Sequence, residues 1–116
     1  MRRSDRVGDQ IRSELSDLLL REVKDPRVRL ASITSVDVSG DLSHAKVLVS
    51  VLGADENREP AVQALEHARG FLRSQLARRL KLRIVPELHF KLDRGAEYSR
   101  QIEDLLERLE DDREPA

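Results

Sequence analysis

The hydrophobic positions near the start of the chain repeat at helical spacing. Val7, Ile11, Leu15 and Leu18 lie three or four residues apart, so they line one side of a helix, and that side requires a core to face. Pro26 disfavours helical geometry in the residue before it. The pattern therefore predicts a first helix that ends near residue 24 or 25.

The two stretches that follow alternate with a period of two, which is typical of strands with one wet face. Gly40 and Asp41 lie between these stretches. Both residue types tolerate the dihedral angles of a chain reversal, so the two strands are predicted to form a hairpin. The positions assigned to the inner face are Thr34, Val36 and Val38 in the first strand and Ala45, Val47, Val49 and Val51 in the second.

Helical spacing returns in residues 61–76, but a glycine interrupts it. Gly70 would cost about 1 kcal/mol relative to alanine inside a straight helix. A straight helix would also place Arg79 on the side of Leu72 and Leu76. The pattern therefore predicts a bend near Gly70 and a helix end near Leu80. The apolar positions of this pattern are Ala61, Leu65, Ala68, Leu72 and Leu76.

A third strand is predicted after Pro86, because Leu88, Phe90 and Leu92 again alternate with polar residues. A last helix should follow it. We expect the apolar stripe of this helix to pack back on the domain, and the alternative is that it docks on a partner, helix in groove. The stripe consists of Tyr98, Ile102, Leu105, Leu106 and Leu109.

The order of these elements indicates an α+β fold: helix, strand, strand, helix, kink, helix, strand. Helices are expected to cover one face of a three-stranded mixed sheet, and the long connection between the second and third strands favours parallel pairing of those two. At 116 residues the chain has the length of one domain. We divide it into a domain of residues 1–93 and a C-terminal amphipathic helix with an acidic tail, residues 94–116.

Charge is distributed unevenly along the chain. Residues 1–94 carry 18 Lys and Arg against 14 Asp and Glu, whereas residues 95–116 carry 3 against 8. A basic body suggests a polyanionic partner. The chain has no cysteine, no secretory signal pattern at its start and no apolar run near the roughly 20 residues that cross a bilayer. We therefore expect a cytoplasmic protein with no membrane partner.

Basic residues are concentrated between Glu66 and Glu87, where no acidic residue occurs. The composition alone is equally compatible with an ordinary solvated face. The absence of acids favours RNA, because planar guanidinium groups match pairs of phosphate oxygens. The candidate RNA-binding residues are Arg69, Arg73, Arg78, Arg79, Lys81 and Arg83, with Lys24, Arg27 and Arg29 of the connector after the first helix as second candidates.

Aromatic residues make up only 3% of the chain, so base stacking is not expected to be the main source of RNA affinity. Phe90 shares the apolar face of its strand with Leu88 and Leu92 and is predicted to be a core residue, and Phe71, beside the bend, is predicted to pack inside. Recognition would then depend on phosphate contacts and RNA shape.

An enzymatic function is not supported by the residue pattern. His44, His67 and His89 have no spacing that would gather them round a metal ion. The carboxylates of the last helix are typical of a solvated face, not of an acid and base pair with separated pKa values. No glycine-rich phosphate loop with a following lysine is present. We therefore predict a protein that is not an enzyme and that needs no metal or cofactor.

Four blocks of the chain occur together in one order: REVKDPR at residues 21–27, DLSHAKV at 41–47, ARGF at 68–71 and LRIVPELHF at 82–90. With these blocks the chain resembles the bacterial ribosome-binding factor A family over most of its length. The resemblance implies a type II K-homology domain. In this family an interhelical kink, here Ala68, Arg69 and Gly70, replaces the Gly-x-x-Gly loop of many K-homology domains.

The same resemblance implies a function. A member of this family would bind 16S ribosomal RNA in the immature 30S subunit near the 5′-terminal helix and assist late maturation, including at low temperature. It would act as a monomer, and an assembly GTPase would take part in its release. The alternative is a protein-interaction module that touches no RNA and acts through the C-terminal helix or the edge of the hairpin.

Overall fold

A three-stranded sheet with helices on one face forms the body of the protein. The computed structural model describes residues 2–53 and 55–113, and the side chains of all of these except residues 96–100 and 110–113. Strands β1 (Ala31–Val38) and β2 (His44–Val51) pair antiparallel, and β2 pairs with β3 (Glu87–Leu92) in parallel. The predicted α+β class, the hairpin and the parallel third strand are thus confirmed.

Four helices accompany the sheet. They are α1 (Arg3–Arg21), α2 (Arg58–His67), α3 (Arg69–Leu80) and α4 (Arg94–Arg113), with short 3-10 turns at Pro26–Val28 and Asp55–Asn57. Helix α1 ends at Arg21, earlier than predicted. The N–H of Glu22 still donates to the carbonyl of Leu18, four residues back as in a helix, but the N–H of Val23 donates to the same carbonyl, five residues back, which departs from the helical pattern. Residues 22–25 therefore belong to the connector and not to the helix.

The core lies between the sheet and the apolar sides of α1, α2 and α3. Fully burying one such aliphatic side chain contributes about 1.5–3 kcal/mol, so the helical stripes seen in the sequence are what holds the layers together. The largest fully buried side chains include Ile11, Leu15 and Leu18 of α1, Leu65 of α2, Leu72 and Leu76 of α3, and Val47, Val49, Val51 and Leu88 of the sheet.

Strand β1 contains an irregularity that the alternation did not predict. Its register against β2 shifts between Ile33 and Ser35, as in a β-bulge. The predicted inward position of Thr34 is wrong, because its hydroxyl donates to the main-chain carbonyl of Leu48 at 3.2 Å while Ile33 is buried in the core. The extra residue changes which side chains of β1 face the helices.

Helix α1 approaches this strand closely at Gly8. A Cβ atom added to Gly8 would lie 2.8 Å from the carbonyl oxygen of Val36 and 3.5 Å from Cγ2 of Val38. Backbone atoms do not give way as flexible side chains do, so only glycine fits at this point of contact.

Helices α2 and α3 are separated by a break at Ala68. The N–H of Ala68 donates to Ala64 and its carbonyl accepts from Leu72, so the hydrogen bonding continues through the break. Gly70 lies in the first turn of α3, where an added Cβ would meet nothing within 4 Å. The contacts among the described residues therefore give no reason for a glycine at this position.

Helix α4 does not pack as expected. Ile102, Leu105, Leu106 and Leu109 are 39–54% exposed, so the prediction that this stripe packs back on the domain is wrong. The helix extends away from the sheet, and the longest dimension of the molecule is 64 Å. The side chain of Tyr98 and the last tail residues, 114–116, lie outside the described part of the chain. None of the described helices is long and apolar enough to cross a membrane.

Candidate nucleic-acid interface

A shallow cleft of about 510 Å³ lies between α3 and the connector of residues 81–86. Lys81 ends α3 in the left-handed conformation, with φ 51°, and this residue reverses the chain so that the connector returns beside the helix. We call this depression the α3 cleft. It is lined by Gly70, Arg73, Ser74 and Ala77 of the helix and by Leu82, Arg83, Ile84 and Val85 of the connector.

Arg73 holds the two walls of the α3 cleft together. Its guanidinium group donates from Nε and Nη2 to the carbonyl oxygen of Val85, at 3.3 and 3.0 Å. The remaining donors of the guanidinium group stay available to an anion, because a guanidinium group has five N–H donors in all. Arg73 thus positions the connector and presents positive charge at the same place.

Three further cations at the end of α3 are exposed and unpaired. Arg78, Lys81 and Arg83 are all exposed, and none of their side chains has a hydrogen bond or an ion pair within the part of the chain that the structure describes. Arg83 lines the α3 cleft. Exposed, unpaired guanidinium and ammonium groups can each donate hydrogen bonds to phosphate oxygens.

Arg79 is different, because its guanidinium group is already paired within the chain. Its Nη1 lies 3.1 Å from Oε2 of Glu14 and 2.7 Å from Oδ2 of Asp17, both on α1. The hydrogen bond from Arg79 is the main reason that the pKa of Asp17 lies below its usual value, and the same bond raises the pKa of Arg79. Arg79 is therefore an ionic link between α1 and α3 and not a free phosphate donor.

Arg69 is also partly engaged. Its Nη1 lies 3.2 Å from Oε2 of Glu66, one turn earlier, and the other oxygen of Glu66 accepts the main-chain N–H of Phe90. The Arg69–Glu66 pair spans the break at Ala68 and connects it to β3. Because the pair is exposed, it adds little stability by itself, and a phosphate group can compete for Arg69.

The second candidates, in the connector after α1, lie elsewhere. Arg27 pairs with Asp25 at 2.7 Å, and its hydrogen bonds lower the pKa of Asp25 to about 2. Lys24 and Arg29 are exposed and line a different depression, of about 790 Å³, between α1 and β1. The structure therefore does not place Lys24 and Arg29 on the wall of the α3 cleft.

Phe71 is not a core residue, contrary to the prediction. Its side chain is 45% exposed and follows Gly70 on α3. Exposed aromatic rings can stack on unpaired RNA bases. The sequence carried a signal for this, because Phe71 is one residue away from Leu72 and so falls outside the buried stripe.

The prediction that the histidines stay apart is also wrong for two of them. Nδ1 of His44 lies 3.0 Å from Nε2 of His89, and Oε2 of Glu87 lies 3.8 Å from the same nitrogen of His44. Parallel pairing of β2 with β3 brings these residues together across 45 positions of sequence. The spacing of the histidines along the chain could not predict this proximity.

The fold and the α3 cleft define a small α+β domain that presents cations at the end of one helix. The family model for ribosome-binding factor A matches residues 3–106, and the chain belongs to that family. A curated ribosome-binding factor A from Natranaerobius thermophilus is 47% identical over 107 residues, which are 92% of this chain and 82% of the relative.

Solved structures support the same assignment. The crystal structure of ribosome-binding factor A from Thermus thermophilus is 30% identical with a TM-score of 0.70, over 78% of this chain and 96% of that one. A homology model of the Thermus thermophilus factor, fitted into a cryo-EM map of its complex with the 30S subunit, is 32% identical with a TM-score of 0.57. That similarity covers 73% of this chain and 93% of the other.

Proposed function

We propose that this protein is a non-enzymatic assembly factor that binds 16S ribosomal RNA in the immature 30S subunit. In this proposal it assists late maturation near the 5′-terminal helix, including at low temperature, as a cytoplasmic monomer that an assembly GTPase helps to release. The observation that carries the RNA assignment is the set of unpaired cations Arg78, Lys81 and Arg83 beside the α3 cleft. The choice of the small subunit is supported by the similarity to the Thermus thermophilus factor that was fitted into the map of a 30S complex.

The proposed mechanism is selective binding. The domain of residues 1–93, which we take to be of the type II K-homology kind, would place the end of α3 against RNA phosphates. The exposed ring of Phe71 would take one unpaired base. Binding can favour one RNA arrangement only by the difference in affinity between that arrangement and its competitors.

The test is to reverse the three unpaired cations together. The triple variant Arg78→Glu, Lys81→Glu, Arg83→Glu should bind purified immature 30S subunits far more weakly in co-sedimentation. The slope of log affinity against log salt concentration should fall in magnitude by about two to three, since each lost phosphate contact removes about 0.7 to 0.9 from that slope. Arg79 is left out because its reversal would place a third carboxylate beside Glu14 and Asp17.

A matched control carries the same change of charge elsewhere. Arg6, Arg12 and Arg108 are exposed and have no ion pair in the described part of the chain, so Arg6→Glu, Arg12→Glu, Arg108→Glu should retain most binding. If both triple variants lost affinity equally, overall charge and not the end of α3 would determine binding. A folded α3 variant that bound as well as the parent would refute the RNA assignment.

Maturation is tested separately in cells that lack the protein. These cells should accumulate unprocessed 16S ribosomal RNA, more strongly in the cold, and the parent but not the α3 triple variant should restore processing. Restoration by the α3 variant would show that the assigned surface is not needed for maturation.

The exposed stripe of α4 favours one second candidate, a protein-interaction module that acts without RNA. Its central residues, Leu105 and Leu106, are each more than half exposed. The double variant Leu105→Glu, Leu106→Glu should keep salt-sensitive binding to 30S subunits if the first proposal holds. Loss of binding in this variant, with the α3 triple variant unaffected, would favour the second candidate instead.

A further inference from the structure

The face of the sheet opposite the helices carries a cluster of three possible metal ligands. In the parallel pairing of β2 with β3, His44 is opposite Glu87 and Lys46 is opposite His89. The alternate residues, among them Ala45 and Leu88, are buried under the helices. His44, Glu87 and His89 therefore all project from the open face, at one end of the sheet.

The distances within this cluster suit a single ion. The three donor atoms lie within 4.8 Å of one another, and the two imidazole nitrogens are 3.0 Å apart. Bonds of about 2.0–2.1 Å from zinc to nitrogen place two ligand nitrogens of one ion about 3.0–3.4 Å apart. Nδ1 of His44 and Nε2 of His89 are already at this separation, and the exposed Glu87 needs only a small rotation of its side chain.

The backbone under the cluster is held in place. The main-chain N–H of His44 donates to the hydroxyl of Ser39, and that of Glu87 donates to the carbonyl of Ser43. Ligands on paired strands lose little freedom when they bind, so the arrangement is preorganised.

We propose that His44, Glu87 and His89 bind one late first-row divalent cation, such as Zn²⁺, Ni²⁺ or Cu²⁺. Two imidazoles and one carboxylate are the ligands these ions prefer, whereas Mg²⁺ prefers oxygen ligands alone. The ion replaces the hydrogen bond between the two rings and joins β2 to β3 by their side chains. Lys46, Lys91 and Asp37 line the depression next to the site, so charges of both signs surround it. The proposal is independent of RNA binding.

Calorimetric titration of the full-length protein with ZnCl₂ at pH 7.5 tests the site. The parent should bind one ion, and binding should raise the melting temperature. Even the loss of an outer-shell partner costs about 10- to 100-fold in metal affinity, so His44→Ala and His89→Ala should each weaken binding at least about tenfold. Glu87→Gln should weaken it less, because the amide oxygen can still coordinate.

The third histidine provides the matched control. His67 is exposed on α2, away from the cluster, so His67→Ala should bind Zn²⁺ as the parent does, and MgCl₂ should give no saturable heat. The proposal is overturned if the parent shows no saturable Zn²⁺ binding, or if His67→Ala weakens binding as much as His44→Ala does.

Discussion

Two neighbouring arginines at the end of α3 have opposite surroundings. Arg79 contacts two carboxylates of α1, whereas Arg78 is exposed and has no ion pair among the described residues. Adjacent residues on a helix point about 100° apart, and Arg79 follows the buried Leu72 and Leu76 by seven and three positions. Whether a cation is available to a partner is therefore decided by its angle around the helix, not by how many cations the segment contains.

The same contrast holds for two glycines in helices. Gly8 lies on the packed side of α1, where an added Cβ would be 2.8 Å from a carbonyl oxygen of β1, whereas Gly70 lies at the α3 cleft with open space around it. One glycine is required by packing within the chain, and the other is not. Substituting each member of these two pairs can therefore distinguish residues that stabilise the fold from residues that are available to contact a partner.

The largest effect is expected for Gly8→Ala. The new methyl group would overlap the carbonyl of Val36, and overpacking of this kind costs about 1–3 kcal/mol even though alanine favours helices. Urea unfolding should show a fall in the free energy of unfolding of that size. A neutral or stabilising result would mean that α1 can move away from β1 without loss.

A smaller effect of the opposite sign is expected for Gly70→Ala. Replacing a glycine in a helix by alanine stabilises the helix by up to about 1 kcal/mol, and none of the described residues would contact the new methyl group. The free energy of unfolding should therefore rise. If binding to 30S subunits falls at the same time, the backbone at Gly70 is where the partner comes closest; if binding is unchanged, the glycine has no role in contact.

The arginine pair should give smaller effects still, in two different assays. Arg79→Ala should lower the melting temperature, by less than Gly8→Ala does, because it leaves Glu14 and Asp17 beside each other without their shared partner. Arg78→Ala should stay within about 0.5 kcal/mol of the parent, as exposed substitutions usually do, but should weaken 30S binding. The contrast fails if the two variants exchange these results.

The sequence predicted the parts of this molecule that depend on local periodicity. Helical spacing located the buried stripes, and the break near Gly70 followed from one glycine in an otherwise regular pattern. The parallel pairing of β2 with β3 was also predictable. The connection between these two strands is far longer than a hairpin turn, and a long connection favours a crossover between parallel strands. The RNA-binding role of the basic segment remains a prediction.

What the sequence did not predict depends on contacts between distant residues. Arg79 meets its carboxylates 62 and 65 positions away, and His44 meets His89 at a separation of 45. The approach of α1 to β1 at Gly8 and the bulge at Thr34 likewise arise only when two elements pack. The exposed stripe of α4 was missed because periodicity identifies an apolar side but not the surface that covers it.

The smallest expected effect is a pH dependence of the free energy of unfolding. It arises at Asp17, whose carboxylate pairs with both Arg79 and Arg21. The pKa of Asp17 is lowered in the folded protein, chiefly by its hydrogen bond with Arg79. A lowered folded-state pKa contributes stability that is present above the unfolded pKa of about 3.9 and is lost as pH falls through the folded value. The difference in free energy of unfolding between the parent and Arg79→Ala should therefore be constant from about pH 7 to pH 5 and shrink below about pH 4.

Urea unfolding at pH 7, 5, 4 and 3 measures that difference directly. Arg78→Ala is the control, because Arg78 has no carboxylate partner among the described residues, and its difference from the parent should stay nearly constant over the same range. A difference for Arg79→Ala that persisted unchanged at pH 3 would mean that Arg79 stabilises the fold by packing against α1 rather than by pairing with Asp17. Arg79 would still differ from Arg78 in burial, but the ionic link would no longer be the reason.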